Sequence, residues 1–316
     1  MSISGSYNYN INVNTLIKRS LQLLNVVYPG GTVSSEDYEI ALDELNSMIL
    51  AWSADGLHLW TEAQATLYLQ ASKTSYILGG SSSDRLASTD YKTELSTDEA
   101  TSSTSLGVDS SANMTVGDVI GIELDDNTIH WTTIATIPTS TSVTINSGLA
   151  SAASTDNNVY WYTSLVSSIT NVSGMVLRKK SGNDIYMQPI SRQDYLGVPN
   201  KTLVSTPFQY YIDRQRDNLV LYLYGSSTTV EDRIIINHKR AFSDLDSPTD
   251  LLDFPREWIE PLKYNLALRL APYFEQEDKI NQGGVIATIA SQSLKRLKSW
   301  DKEDTSIYIG PDRYDY

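Results

Sequence analysis

In LDELNSMILAWSADGLHLW, Leu42 to Trp60, apolar residues return every three or four positions. With Tyr38 and Ala41 ahead of it, the stripe runs through Leu42, Leu45, Met48, Ile49 and Trp52, while Glu39, Asp43, Glu44 and Asn46 fall opposite. That spacing predicts an amphipathic helix with one face on a core. Its start is written in Val33-Ser34-Ser35-Glu36-Asp37-Tyr38. Ser34 is the cap, Asp37 its reciprocal partner, and Val33 can staple onto Tyr38. Glu36 and Asp37 also suit the positive end of the helix dipole. Asp55-Gly56 predicts the stop. Upstream, Leu16, Ile17, Leu21 and Leu24 predict a shorter helix, with Asn14 as its N-cap and Pro29-Gly30-Gly31 as its end.

A second helical pair is predicted at the other end of the chain, in FPREWIEPLKYNLALRLAPYFEQ, Phe254 to Gln276. Pro255 suits a first turn, where its missing amide proton has no partner to lose. Trp258, Ile259, Leu262, Leu266, Leu270 and Tyr273 form the apolar stripe. Pro261 is expected to kink or loosen the opening turns, and Pro272 marks the far boundary. Asn281 is expected to open a last helix, in which Ile286, Ile289, Ala290, Leu294, Leu297 and Trp300 face one way. Lys295, Arg296 and Lys298 cluster in its final turns, where the helix dipole favours cations. They are also candidates for contact with a partner or with DNA in a channel.

Between the two pairs the sequence is rich in Ser and Thr and reads as β. Trp60–Leu69, Ser75–Leu78, Asp184–Pro189, Phe208–Ile212, Leu219–Tyr224 and Arg233–Asn237 are predicted strands. A second β unit is nested inside the first. Val119–Leu124 and Thr128–Ile134 form a predicted hairpin across Asp125-Asp126-Asn127, with Ile120, Ile122 and Leu124 on one face. Val143-Thr144-Ile145 and Val159–Tyr162 would complete a small barrel or sandwich. The expected fold is therefore α+β: a helical bundle built from N- and C-terminal hairpins, interrupted by a β-sandwich or barrel insertion that holds a nested β unit. The expected boundaries are 1–60 with 246–300 for the helical core, 61–95 with 164–245 for the insertion, 96–163 for the nested unit, and 301–316 for an extension.

Composition narrows the chemistry. A chain of 316 residues can hold two or three domains. No stretch approaches the roughly 20 apolar residues that span a bilayer, and the start, MSISGSYNYNINVN, lacks the pattern of a secretory signal. A soluble, non-exported protein without membrane contact is expected. There is no Cys, which excludes disulfides, thiolate metal sites and cysteine nucleophiles. The net charge is −14, and Thr93 to Leu177 contains no Lys or Arg against nine Asp and Glu. Such a field repels phosphate, so tight binding of nucleic acid is not expected.

No catalytic pattern emerges. His58, His130 and His238 lie far apart, without metal-ligand spacing, and neither a phosphate loop nor a nucleophile elbow occurs. Asp98-Glu99 and Asp125-Asp126 are carboxylate pairs of the kind a glycosidase uses, but turn formation is the simpler account of them. Asn113, Asn171 and Asn200 sit in Asn-x-Ser/Thr triplets, expected by chance in so Ser/Thr-rich a chain. The expectation is a non-enzyme with no cofactor and no metal. The C-terminal stretch from Lys302 to Tyr316 alternates apolar and aromatic residues at Ile307, Tyr308, Ile309, Tyr314 and Tyr316, which makes them candidate anchors on a partner.

The two quoted helical segments, with their double-tryptophan-to-DGL end and their NLALRLAP run, resemble the head-to-tail adaptors of short-tailed bacteriophages, also called tail accessory or head-completion proteins. The matches cover about a third of the chain, and the large β insertion departs from the simplest members. The resemblance implies a structural virion protein at the head–tail junction. It implies a ring of about twelve copies below the portal protein, with DNA passing through unbound. Leu45, Trp52, Trp258, Leu266, Leu270 and Trp300 would pack the ring core, and Ile307, Tyr308, Ile309, Tyr314 and Tyr316 would dock on the portal. The insertion is then expected to meet the tail nozzle or the fibre and spike proteins. A receptor- or carbohydrate-binding tail protein, and a hydrolase of cell-wall glycan, are the alternatives that a β module leaves open.

Overall fold

A computed structural model describes residues 9–54, 59–80, 83–216, 218–279 and 284–300. It divides into two compact units, Met1–Thr61 with Phe242–Tyr316, and Glu62–Ala241. The fold expected from the sequence is overturned. The described residues are mostly β, with 31% strand against 27% helix, and they form three sheets, of which one is a half-barrel, and five short helices rather than a helical bundle carrying an insertion. The physical reason lies in how apolar area is distributed. Strands in the middle of the chain close three separate apolar clusters, whereas the helices are cut short by prolines and 3-10 turns.

In the first unit the helices are α1 (Val13–Leu23), α2 (Ser35–Ala54), α4 (Ile259–Leu270) and α5 (Val285–Trp300); a short α3 (Arg192–Gly197) belongs to the second. Asn12, not Asn14, caps α1, accepting the Thr15 amide at 2.9 Å. Ser34 caps α2 by accepting the Asp37 amide at 3.1 Å. Pro261 does not kink α4, because a 3-10 turn over Arg256–Trp258 precedes the helix and leaves Pro261 in its first turn. There its missing N–H breaks no helical bond. Pro272 ends α4 at Leu270 and turns the chain into a second 3-10 segment. Asp55, Gly56 and Asn281, expected at helix ends, lie outside the described residues.

Three sheets build the second unit. The first runs β11 (Asp184–Tyr186), β10 (Asn171–Arg178), β15 (Arg233–Lys239), β1 (Glu62–Tyr68) and β3 (Leu86–Ala87). The second runs β12 (Gln188–Pro189), β13 (Gln209–Arg214), β14 (Leu219–Tyr224) and β2 (Ser75–Leu78). They share one core, in which Leu67, Leu177, Ile234 and Ile236 meet Leu78, Leu221 and Leu223. The chain steps from β2 to β3 at one pair of edges and from β11 to β12 at the other, so covalent crossings close both sides. Buried and half-buried residues alternate along β14, as a strand with one face on a core requires. Unforeseen were β10, whose Gly174 sits at a register shift against β15, and α3, whose Ser191–Asp194 pair forms a full capping box.

The third sheet runs β4 (Tyr91–Glu94), β9 (Asn158–Tyr162), β6 (Val119–Glu123), β7 (Ile129–Thr139), β8 (Ser142–Ile145) and β5 (Ser105–Gly107). Asp125-Asp126-Asn127 joins β6 to β7, with Asn127 at φ 64° and the Leu124 amide donating to the Thr128 carbonyl. Ile120, Ile122 and Leu124 are all buried in this sheet's own core. Because β4 pairs with β9, the sheet starts before the boundary expected at residue 96. Tyr68 and Ala87 of the first sheet pack with Tyr160 and Tyr162 of the third, which joins the two.

His238 in β15 is the one buried histidine among the described residues, and neither ring nitrogen meets a hydrogen-bond partner. Burial holds its pKa below the ordinary 6.5, with the Lys239 backbone offsetting part of the effect. A folded-state pKa below the unfolded value means that the unfolded chain takes up a proton first as pH falls. The stability concerned is complete above the unfolded value and is lost as pH falls towards the folded one. Between about pH 7.5 and pH 5.5, the urea midpoint should therefore fall further in the wild type than in His238→Leu, in unfolding curves followed by circular dichroism.

Candidate functional site

The residues that the sequence singled out at both ends meet in the first unit. Leu16, Ile17 and Leu21 of α1, Leu45, Met48 and Trp52 of α2, and Leu262, Leu266 and Leu270 of α4 form one buried cluster, which Ile286 and Leu297 of α5 extend. At its centre is an aromatic knot. The Trp258 ring lies 5.7 Å from Trp52, 4.8 Å from Trp60 and 5.8 Å from Phe254 between centroids, all in tilted geometry. Such pairs are worth about 0.5–1.5 kcal/mol beyond the area they bury. Trp60 also donates its indole N–H to the Asp253 carbonyl at 3.2 Å.

Polar groups tie α4 to each neighbour. Ser20 on α1 donates to the Lys263 carbonyl at 3.0 Å, Arg269 meets Glu44 on α2 at 3.0 Å, and Asn265 reaches the Ala290 carbonyl of α5 at 3.3 Å. Leu45, Trp52, Trp258, Leu266 and Leu270 thus all lie in this core. Tyr273 does not, being 60% exposed, because Pro272 takes the chain off the α-helical period one residue earlier. The Trp300 side chain lies outside the described residues, as do Ile307, Tyr308, Ile309, Tyr314 and Tyr316. Lys295, Arg296 and Lys298 are exposed on α5, and Arg296 lines a shallow pocket with Glu257, Glu260 and Pro261. Tyr28, Leu50, Leu251 and Val285 of the same unit are large apolar residues left 65% to 75% exposed.

In the second unit, the carboxylates that the sequence offered for acid–base chemistry are occupied. Asp98 accepts the Thr155 amide and hydroxyl, and Asp125 accepts the Ser154 amide and hydroxyl and the Asn157 amide group. These bonds hold both carboxyl groups below their usual pKa. Asp126 accepts from Thr128, and Glu99 from the Gly107 amide. They act as turn acceptors. His130 bonds to Ser147, and His58 lies outside the described residues. Among the described residues no three His, Cys, Asp or Glu side chains gather as metal ligands.

The sequence did not point to a cavity of about 290 Å³ in this unit, where the first sheet meets the third. Tyr68, Arg85, Asn127, Ile129, Trp131 and Val230 are among its walls. Gly121 opposite Trp131 makes it possible, since a β-carbon there would lie 2.5 Å from the indole ring. Arg85 donates to the Tyr162 hydroxyl at 2.7 Å and sits 5.2 Å above the Trp131 ring. Burial raises the pKa of the Tyr162 and Tyr68 phenols, so both are neutral. Nearby, Asp90 joins Arg178 at 2.6 Å and also pairs with Arg233, and Arg178 holds Asp184 through two 2.8 Å bonds.

No protein-family model matches the chain, and no curated protein matches it either.

Truncating Trp258 removes the centre of the aromatic knot. Trp258→Ala should cost about 3–5 kcal/mol of stability, measured by urea denaturation followed by far-ultraviolet circular dichroism of the helical signal.

Proposed function

We propose that this chain is a structural, non-enzymatic virion protein of a short-tailed bacteriophage: a head-to-tail adaptor that forms a ring below the portal and joins it to the tail. One observation carries the reading. The two segments that resemble the adaptor family, Leu42–Trp60 and Phe254–Gln276, lie far apart in the chain yet share a single core through Trp52, Trp60, Phe254 and Trp258.

The surface of the same unit supports an assembly role. Tyr28, Leu50, Leu251, Tyr273 and Val285 expose apolar side chains, and Leu50 lies on the outward face of α2. These side chains are available for protein–protein contact. In the ring, these positions would face neighbouring copies or the portal, and the segment from Lys302 to Tyr316 would reach the portal. The β unit would meet the tail nozzle or fibre and spike proteins. A net charge of −14 suits a channel that DNA crosses without being held.

Native mass measurement of the protein mixed with its portal tests the reading. A discrete complex with many copies of this chain is expected, and a persistent monomer would overturn it. Leu50→Asp should change the stability of the free protein by no more than about 0.5 kcal/mol, because the site is exposed. It should nonetheless abolish the complex, as read by the same measurement.

A further inference from the structure

The cavity between the first and third sheets contains Arg85, which, like Lys201 and Arg214 at the surface of this unit, meets no carboxylate among the described residues. Elsewhere in this unit, Lys73 is matched by Asp84, Lys92 by Glu94, Lys179 by Asp232 and Lys180 by Glu231, while Arg178 and Arg233 share Asp90. Arg85 has a phenol and an indole face instead. One of its terminal nitrogens donates to Tyr162, and no other Arg85 side-chain bond is present among the described residues. A guanidinium carries five N–H donors in a planar fork, which fits a carboxylate through two parallel bonds. The Trp131 ring beneath its guanidinium carbon adds a cation–π contact that holds the fork in the cavity.

The remaining walls limit the shape of what the fork can take. Ile129 supplies apolar surface, with narrow strips of Val230 and the Tyr68 ring beside it. The Tyr68 hydroxyl, on a side chain only 3% exposed, has no hydrogen-bond partner. Buried polar groups are normally satisfied, so this orphaned hydroxyl, which has almost no accessible surface of its own, marks an unmatched polar position behind the cavity wall. Asn127, by contrast, is held in place by one donation to the Thr228 carbonyl and one acceptance from the Val230 amide. It shapes the wall. A volume of about 290 Å³ is at the lower end for small-molecule sites, enough for one sugar ring and too small for a folded partner.

We propose that this cavity binds an acidic sugar of the uronic acid type, with its carboxylate on the free side of the Arg85 guanidinium and its ring against Ile129, Val230 and Tyr68. The mouth is open to solvent, so the rest of a glycan chain can continue outward. A simple carboxylate carries the same charge but has no ring to bury against these walls. Simple carboxylates should therefore bind far more weakly than the sugar acid. This site is independent of the adaptor reading, which rests on the helical unit.

The test is titration of the full-length protein with glucuronic acid, glucose and acetate, followed by isothermal calorimetry and by tryptophan fluorescence, in the wild type, Arg85→Gln and Arg85→Lys. Saturable binding of glucuronic acid, at least tenfold tighter than glucose or acetate, is expected. Loss of the charge-assisted bonds in Arg85→Gln should weaken it by roughly ten- to a hundredfold. Arg85→Lys, which keeps the charge without the fork, should fall between the two. Thermal melts of the three proteins separate this loss from unfolding. If Arg85→Gln does not fold, the wild-type selectivity and Arg85→Lys decide. Equal affinity for glucose and glucuronic acid, equal affinity for acetate, no binding of glucuronic acid, or unchanged binding in a folded Arg85 variant would each overturn the proposal.

Discussion

Seven consecutive residue pairs join β1 to β15, from Glu62 with Lys239 to Tyr68 with Arg233. This antiparallel ladder holds the start and the end of the second unit side by side, and much else depends on it. Both strands are internal to their sheet, and Arg233, Ile234, Ile235 and Ile236 are all buried. A slip of one residue would exchange the core residues Ala65 and Leu67 with Thr66 and Tyr68, and Ile234 and Ile236 with Arg233 and Ile235. The register that buries these side chains on one face therefore also delivers Tyr68 and Arg233 to the contact with the third sheet. Core packing and the joint between sheets are set by one alignment.

Sequence reasoning followed the regular elements closely where side chains alternate strongly. Leu219–Tyr224 is a strand from end to end, and the turn at Asp125-Asp126-Asn127 lies where its composition put it. The same reasoning passed over β4, β5 and β10. The first two are only four and three residues long, with too little apolar alternation to read, and the third carries Gly174 at a bulge that breaks the period. Asn12 was displaced by Asn14 as the cap of α1 because two candidate caps lie two residues apart. Only the geometry of the Thr15 amide separates them.

The error over fold class has a different origin. Helical stripes are conspicuous because they run unbroken for several turns, whereas a short strand shows only two or three alternations. In the folded molecule the strands are individually short but numerous, and their pairing closes three cores. The cavity was illegible for a related reason. Tyr68, Arg85, Trp131 and Val230 come from four separate segments that approach one another only after the first and third sheets have packed. No spacing along the chain encodes that. The nearest hint is Gly121, a glycine inside an apolar strand directly across from a tryptophan.

The order in which the ribosome delivers these parts has a cost in time. The apolar faces of α1 and α2 are covered by α4, and α4 begins at Ile259, 205 residues after α2 ends at Ala54. At ~5–20 residues per second, synthesis leaves those faces waiting roughly 10–40 s, long after each helix can form. The β unit can complete its ladder within that interval, since β15 emerges before α4. Its folding then shortens the path between the early and late helices from a long flexible loop to a fixed gap, which lowers the entropy of closing it. In biosynthesis, the strand pairing at the centre of this chain acts as a clasp that prepares its two ends to meet.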